Sequence, residues 1–257
     1  MGKTDYETYL ERAFRATCDH QGQFVQAEEK ARKKYRHHER EVDNRLRVHL
    51  DSLITDLGNT LVNNKIASPA SDSSYQLSLC TSLIRCHFIV NDLLMKGNII
   101  EAVTLVRRQL EGLARLYELD QSPVEKIEGQ APRVTRAVGS YVGRLYGLLS
   151  EITHFSRARV GDFLSVDSDG DLIGPSPFPK FQEEAFACFD RHAYVSFMVA
   201  SWLHQKQKSE WYPKTDFSLR EELLTRTFLV ALEAGVVKLP DGIKLPDEVD
   251  VPTSKIE

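Results

Sequence analysis

Arg107 and Glu111 stand four residues apart in one apolar-striped stretch, and Ser150 and His154 stand four apart in another. On a helix that spacing puts each pair on one face. Brought together across a helix interface, the four supply an anion clamp in the arginine, an acid or base in the histidine, and two orienting groups. The same residues can also form a structural network between two core helices, because buried charge is kept only when paired and hydrogen-bonded. Location separates the two readings. A cluster opening onto a cleft favours chemistry, and one sealed in the core favours structure.

A second constellation is the basic run Arg32, Lys33, Lys34, Tyr35, Arg36, His37 and His38. Lysine and arginine fix phosphates and tyrosine stacks on bases, so the run is a candidate RNA contact. Glu28, Glu29, Glu39 and Glu41 surround it, and an exposed, charge-balanced helix face is the blander account, which we put first.

Other patterns fall short of their chemistry. Glu151-x-x-His154 is half of a di-iron signature, and no second Glu-x-x-His is present. Asp167-Ser-Asp-Gly-Asp171 begins like a calcium loop, but its glycine comes too early and the closing glutamate is absent, so a hairpin turn fits better. No Gly-x-Ser-x-Gly elbow or phosphate-cradling glycine loop appears. Cys86 and His87 are helix neighbours whose side chains diverge. No cofactor and no metal is expected.

The stretches that position these residues are helical. Asn98–Asp120 carries Val103, Val106, Leu110, Leu113 and Leu116, with Asn98 and Glu101 as a capping signal. Arg133–Arg157 carries Leu145, Leu149 and Ile152, and Gly139, Gly143 and Gly147 point to a close helix–helix approach. Ser74–Lys96, Lys180–Lys208 and the segment from Ser218 to Gly235 have apolar stripes of their own. Residues 24–64 read as a long pattern whose second half, from Leu46 to Leu61, is strongly amphipathic.

These readings predict an all-α protein: a bundle of six or seven helices with a long N-terminal helical arm and a small β-hairpin insert. The arm covers residues 1–64, the bundle 74–236, the insert 160–178 and an extended tail 237–257. With 257 residues and 42% hydrophobic composition, a substantial core can form. A net charge of −4 argues against a protein built mainly to coat nucleic acid. Still, residues 30–49 hold eight Lys/Arg against three acids, so a local basic face is allowed. Four cysteines without a C-x-x-C pair, no signal-peptide core and no apolar run near the ~20 residues that span a bilayer imply a cytoplasmic protein without membrane contact.

The runs Leu105-Val-Arg-Arg-Gln-Leu-Glu111-Gly-Leu and Tyr146-Gly-Leu-Leu-Ser150-Glu-Ile-Thr-His154-Phe-Ser156 resemble a group of uncharacterised bacterial helical proteins. That group pairs an Arg-x-x-x-Glu helix with a Tyr-x-x-Leu-Ser-x-x-x-His-x-Ser helix, and the likeness covers residues 77–205. It implies a fold and no activity. More remotely, the chain is similar to the HEPN superfamily, which includes metal-independent RNases of toxin and phage-defence systems. Their Arg and His, separated by four to six residues, act together on the scissile phosphate. Arg15/His20, Arg32/His37 and Arg32/His38 have that spacing, whereas Arg144 and His154 are ten apart.

The reading placed first is a regulatory or interaction module, dimeric through residues 24–64. The rival is a HEPN-like RNase or nucleotide-binding effector whose partner is RNA or a nucleotide. There Arg107 is the phosphate clamp, His154 the acid/base, and Glu111 and Ser150 the orienters, with Arg32 and His37 as the competing pair.

Overall fold

Helix α4 (Ile99–Leu119) has twelve buried residues, spread around most of its circumference rather than along one stripe. Such a helix must be covered on several sides. Helices α3 (Ser73–Met95) and α8 (Glu184–Lys206) cover it from one direction, and α6 (Val134–Val138) and α7 (Ser140–Thr153) from another. The structure, a computed structural model, describes residues 5–66, 69, 72–138, 140–156, 158–164, 166–169 and 172–239. Helix dominates the described residues, with a single pair of short strands beside it, so the all-α class holds.

Helix α1 (Asp5–His38) comes first, followed by α2 (Glu41–Asn63). Short α5 (Val124–Ile127) precedes α6, and α9 (Ser218–Glu233) packs on α2 and α8. Two short strands, β1 (Val166–Asp169) and β2 (Leu172–Pro175), pair antiparallel with Val166 opposite Pro175. The central Gly170-Asp171 of the expected hairpin turn and residues 240–257 of the expected tail lie outside the described residues.

The expected N-terminal arm divides in two. In α2, Leu46, Leu50, Leu53, Ile54 and Leu57 are at most 1% exposed, so this stripe faces α8 and α9 inside the same chain. An amphipathic stripe records that a partner exists and not which chain supplies it. The apolar face of α2 is therefore used up inside the chain. Helix α1 behaves differently. Its C-terminal half docks on the end of α3: Ala31 and Tyr35 are buried, Arg32 pairs with Asp92 at 2.7 Å, and Lys96 pairs with Glu28 at 3.7 Å. Tyr6, Tyr9, Leu10 and Phe14, in the first half, remain exposed.

Asn98 does not close a capping box. Its side chain instead donates to Glu28 Oε1 at 3.0 Å, which ties α1 to the start of α4. Just before it, Gly97 ends α3 at φ +82°, where a side chain is strained. A Cβ there would also lie 2.5 Å from the Lys180 carbonyl oxygen, so only glycine lets that segment pass. The close approach expected from Gly139, Gly143 and Gly147 is present at Gly143, whose Cβ would meet Thr135 Oγ1 of α6 at 2.7 Å. Gly147 faces open space, and Gly139 lies outside the described residues.

Helix α3 is long and apolar enough to cross a bilayer by length and composition, contrary to the expectation that no run is. Here it lies against α4 and α8 with Gln76, His87 and Asn91 buried, as a core helix does. At the far end of α8 the chain widens into a π turn (Gln207–Trp211). Arg220 of α9 holds that turn by donating to Gln207 Oε1 at 2.6 Å and to Asp56 and Thr60 of α2.

Because α2 is core and not a docking arm, Leu53→Ala should lower stability by about 2–5 kcal/mol. Urea unfolding at several protein concentrations checks this: the loss should be the same at each concentration.

Candidate functional site

Arg107 and Glu111 lie on the side of α4 that turns toward α7, and α7 answers with Tyr146 and His154. The arginine is the hub. Its Nη1 donates to His154 Nε2 at 2.9 Å, and its Nη2 donates to the Tyr146 hydroxyl at 3.1 Å and pairs with Glu111 Oε1 at 3.2 Å. Tyr146 in turn donates its O–H to the same Glu111 oxygen at 2.7 Å. The guanidinium lies 5.2 Å from the centre of the Tyr146 ring, within cation–π range. The Tyr146 bond most of all, and then Glu111, raises the pKa of Arg107.

A guanidinium has only donors, so His154 Nε2 must be the acceptor. In this arrangement His154 is the neutral tautomer with its proton on Nδ1. The end of α7 fixes the ring there. His154 N bonds Ser150 O, Phe155 N bonds Ile152 O and Ser156 N bonds Glu151 O, a tight helix stop. Phe155 adopts φ 49° at the position where glycine is usual. A left-handed residue of this kind costs on the order of 1–2 kcal/mol, and it presents His154 at the rim.

Three of the four expected residues therefore come together, Arg107, Glu111 and His154, and the cluster is not sealed. His154 is exposed, and the Arg107 and Glu111 side chains are 20% and 33% exposed. Ser150 is not part of it: its Oγ is buried without a hydrogen-bond partner, so an orienting role has no bond to act through. Tyr146, absent from the expected set, takes that role. It sits in the quoted Tyr-x-x-Leu-Ser motif, four residues before Ser150, which was the available signal.

A furrow leads away from the cluster along α4. Glu111 lines a hollow of about 260 Å³ whose floor holds Gly112, where a Cβ would come within 2.9 Å of Leu83 Cδ2. Adjoining hollows of about 460 Å³ and 320 Å³ follow the loop from α5 to α6. Arg115 lines all three. Its buried guanidinium holds that loop in shape, donating to the Ile127 carbonyl at 2.9 Å and to the Gln130 carbonyl, and it pairs with Glu118 at 3.1 Å.

The basic run of α1 is not an RNA contact of the expected kind. Tyr35 is 1% exposed and packs against Phe181 and Phe186, so it cannot stack on a base. Burial drives its phenol pKa well up. Arg32 is tied to Asp92, and no bond joins it to His37. Lys33, Lys34, Arg36 and His37 are exposed around that buried stripe.

The core also holds a polar network whose residues were not among those expected. His87 donates Nε2–H to Asp51 at 2.8 Å, its Nδ1 lies 2.9 Å from Ser196 Oγ, and its ring stacks on His192 at 5.0 Å. Asn91 also donates to Asp51, and His192 donates Nδ1–H to Gln109 at 3.1 Å. The order Asp–His–Ser matches a nucleophile relay. Ser196 is only 1% exposed, however, and lines none of these hollows, so the network holds α2, α3, α4 and α8 together. Two helical pairs could have revealed it: His87/Asn91 and His192/Ser196 are each four apart on inward faces.

Among the described residues, no group of three or more His, Cys, Asp or Glu side chains is placed to hold a metal ion. Comparison of this chain with protein-family models, curated proteins and solved structures found no match.

Burial, then the neighbouring His87, holds the His192 imidazole well below the usual histidine range. The folded chain thus refuses a proton that the unfolded chain takes up below about pH 6.5. This contribution to stability is complete above that pH and is lost as pH falls below it, by up to about 1.4 kcal/mol per pH unit. His49 and His204, also lowered by burial, act in the same direction. Thermal unfolding between pH 8 and pH 5 (roughly the span around the ordinary histidine value) should show the fall, and His192→Gln should flatten part of it.

Proposed function

We propose that this chain is a metal-independent RNase-type effector acting on RNA phosphodiesters at the α4–α7 cluster. The observation that carries this is the Arg107–His154 bond at 2.9 Å on an open surface rather than in the core. The two groups are those that the HEPN-like resemblance implies, here drawn from two helices instead of one short motif. The scaffold reads as six principal helices, α2, α3, α4, α7, α8 and α9, with α1 as arm and the strand pair as insert. Free cysteines, one exposed and three buried, favour a cytoplasmic setting.

The chemistry follows from the donors. A phosphate entering the cluster takes over the Arg107 donors, which match its oxygens in a fork. His154 Nε2 is thereby released and accepts the proton of the ribose 2′-hydroxyl. The 2′ oxygen attacks phosphorus, the bond from phosphorus to the 5′ oxygen breaks, and solvent protonates that leaving oxygen. The products are a 2′,3′-cyclic phosphate and a 5′-hydroxyl. Tyr146 and Glu111 keep the guanidinium aimed throughout.

Cleavage of single-stranded RNA in EDTA tests this. His154→Ala should slow it about 100- to 10,000-fold, the usual worth of a positioned acid/base. Arg107→Lys should also slow it, because a point charge cannot replace the fork. Wild-type protein that leaves RNA intact would overturn the reading.

The interaction reading keeps one specific support. Tyr6, Tyr9, Leu10 and Phe14 form an exposed apolar stripe on the projecting half of α1. Stripes of this kind mark contact surfaces. A second copy of α1 is the partner that the stripe itself supplies. If so, sedimentation should show a dimer that Leu10→Asp with Phe14→Asp converts to monomer.

A further inference from the structure

We infer that the furrow along α4 is the track of a single RNA strand entering or leaving the Arg107–His154 cluster. This rests on the phosphodiester reading above and names the form of its substrate. The first observation is charge that has no internal use. Arg107 is matched by Glu111 and Arg115 by Glu118. Arg108, Lys126, Arg133 and Arg136 line the furrow, are exposed, and are held in no ion pair among the described residues. Against them the rim sets Glu128. A row of uncompensated cations beside a concave surface attracts a polyanion.

Continuity is the second observation. Glu111 belongs both to the cluster and to the first hollow, and Arg115 joins the first hollow to the other two. From Arg107 to Arg115 the helix advances about 12 Å, and the hollows extend beyond it toward Arg133 and Arg136. The track is thus longer than one phosphate group needs.

Aromatic side chains supply the third. Tyr75 stands where two hollows meet, 40% exposed, and Tyr117 lines the third. A ring in a hollow can stack only on a base that is free of its own stack, and duplex RNA offers none. Separate hollows with tyrosine walls and a cationic rim suit splayed bases and a phosphate chain together.

The test is binding of a labelled single-stranded oligouridylate to the His154→Ala chain, by fluorescence anisotropy across a salt series. Each phosphate contact contributes about 0.7 to the slope of log affinity against log salt for single strands. Arg133→Ala with Arg136→Ala should therefore cut the slope by about 1.4 and weaken binding. Tyr75→Ala should weaken it roughly 5- to 150-fold with the slope unchanged, and Tyr75→Phe should restore it. Circular dichroism should find all these chains folded, since the substituted residues are surface groups. Unchanged affinity and slope in the arginine variant, or equal binding of duplex RNA, overturns the track. Because His154→Ala removes the proposed chemistry, binding lost in the furrow variants supports the track even if wild-type protein cleaves nothing. Wild-type-like KM in a cleaving Arg133→Ala, Arg136→Ala chain sinks the track and leaves the cluster's chemistry standing.

Discussion

Everything in this molecule depends on α4 being covered on most of its sides and left open on one. Val106, Leu110 and Leu113 are wholly buried, and the helix cannot turn without exposing them. Burial of that kind is worth roughly 1.5–3 kcal/mol per side chain, so the rotational setting of α4 is firmly held. Its remaining face carries the exposed Arg108 and the partly exposed Arg107, Glu111 and Gly112, with the buried Arg115 beside them. The close approach of Gly112 to Leu83 keeps α3 near and makes the furrow's floor.

The polar groups fall into two classes with different physical roles. In the core, His87, His192, Asn91, Gln109 and Ser196 bond one another and the partly exposed Asp51, with Asn91 Oδ1 and His192 Nε2 left unpartnered. At the α4–α7 rim, Arg107, Glu111, Tyr146 and His154 remain within reach of solvent, and exposed ion pairs of that kind add little stability. A group whose contacts stabilise the fold only slightly can exchange them for a ligand. The rim cluster meets that condition, and the buried Asp–His–Ser line does not.

Much of this was legible from residue spacing. The i,i+4 pair on each helix located Arg107, Glu111 and His154 on facing surfaces, and the apolar stripes located most helices. Three features were not legible, each for a physical reason. The stripe of α2 could not say that its partner was the same chain. Tyr35 stood among basic residues in the sequence, but helix geometry turns it to the Ala31 side and its neighbours outward. Tyr146 stood in the quoted motif without a role, because only the structure shows its hydroxyl reaching Glu111. Ser150, one turn later, shares the face but not the contact.

The most direct test of the central claim is a crystal structure of the chain with a short RNA whose attacking 2′-hydroxyl is replaced by hydrogen. The account predicts a phosphate within hydrogen-bonding distance of the Arg107 guanidinium, with His154 Nε2 freed from the arginine and facing the 2′ position. A phosphate bound elsewhere, with the Arg107–His154 bond intact, would contradict it and leave the cluster as a clasp between α4 and α7.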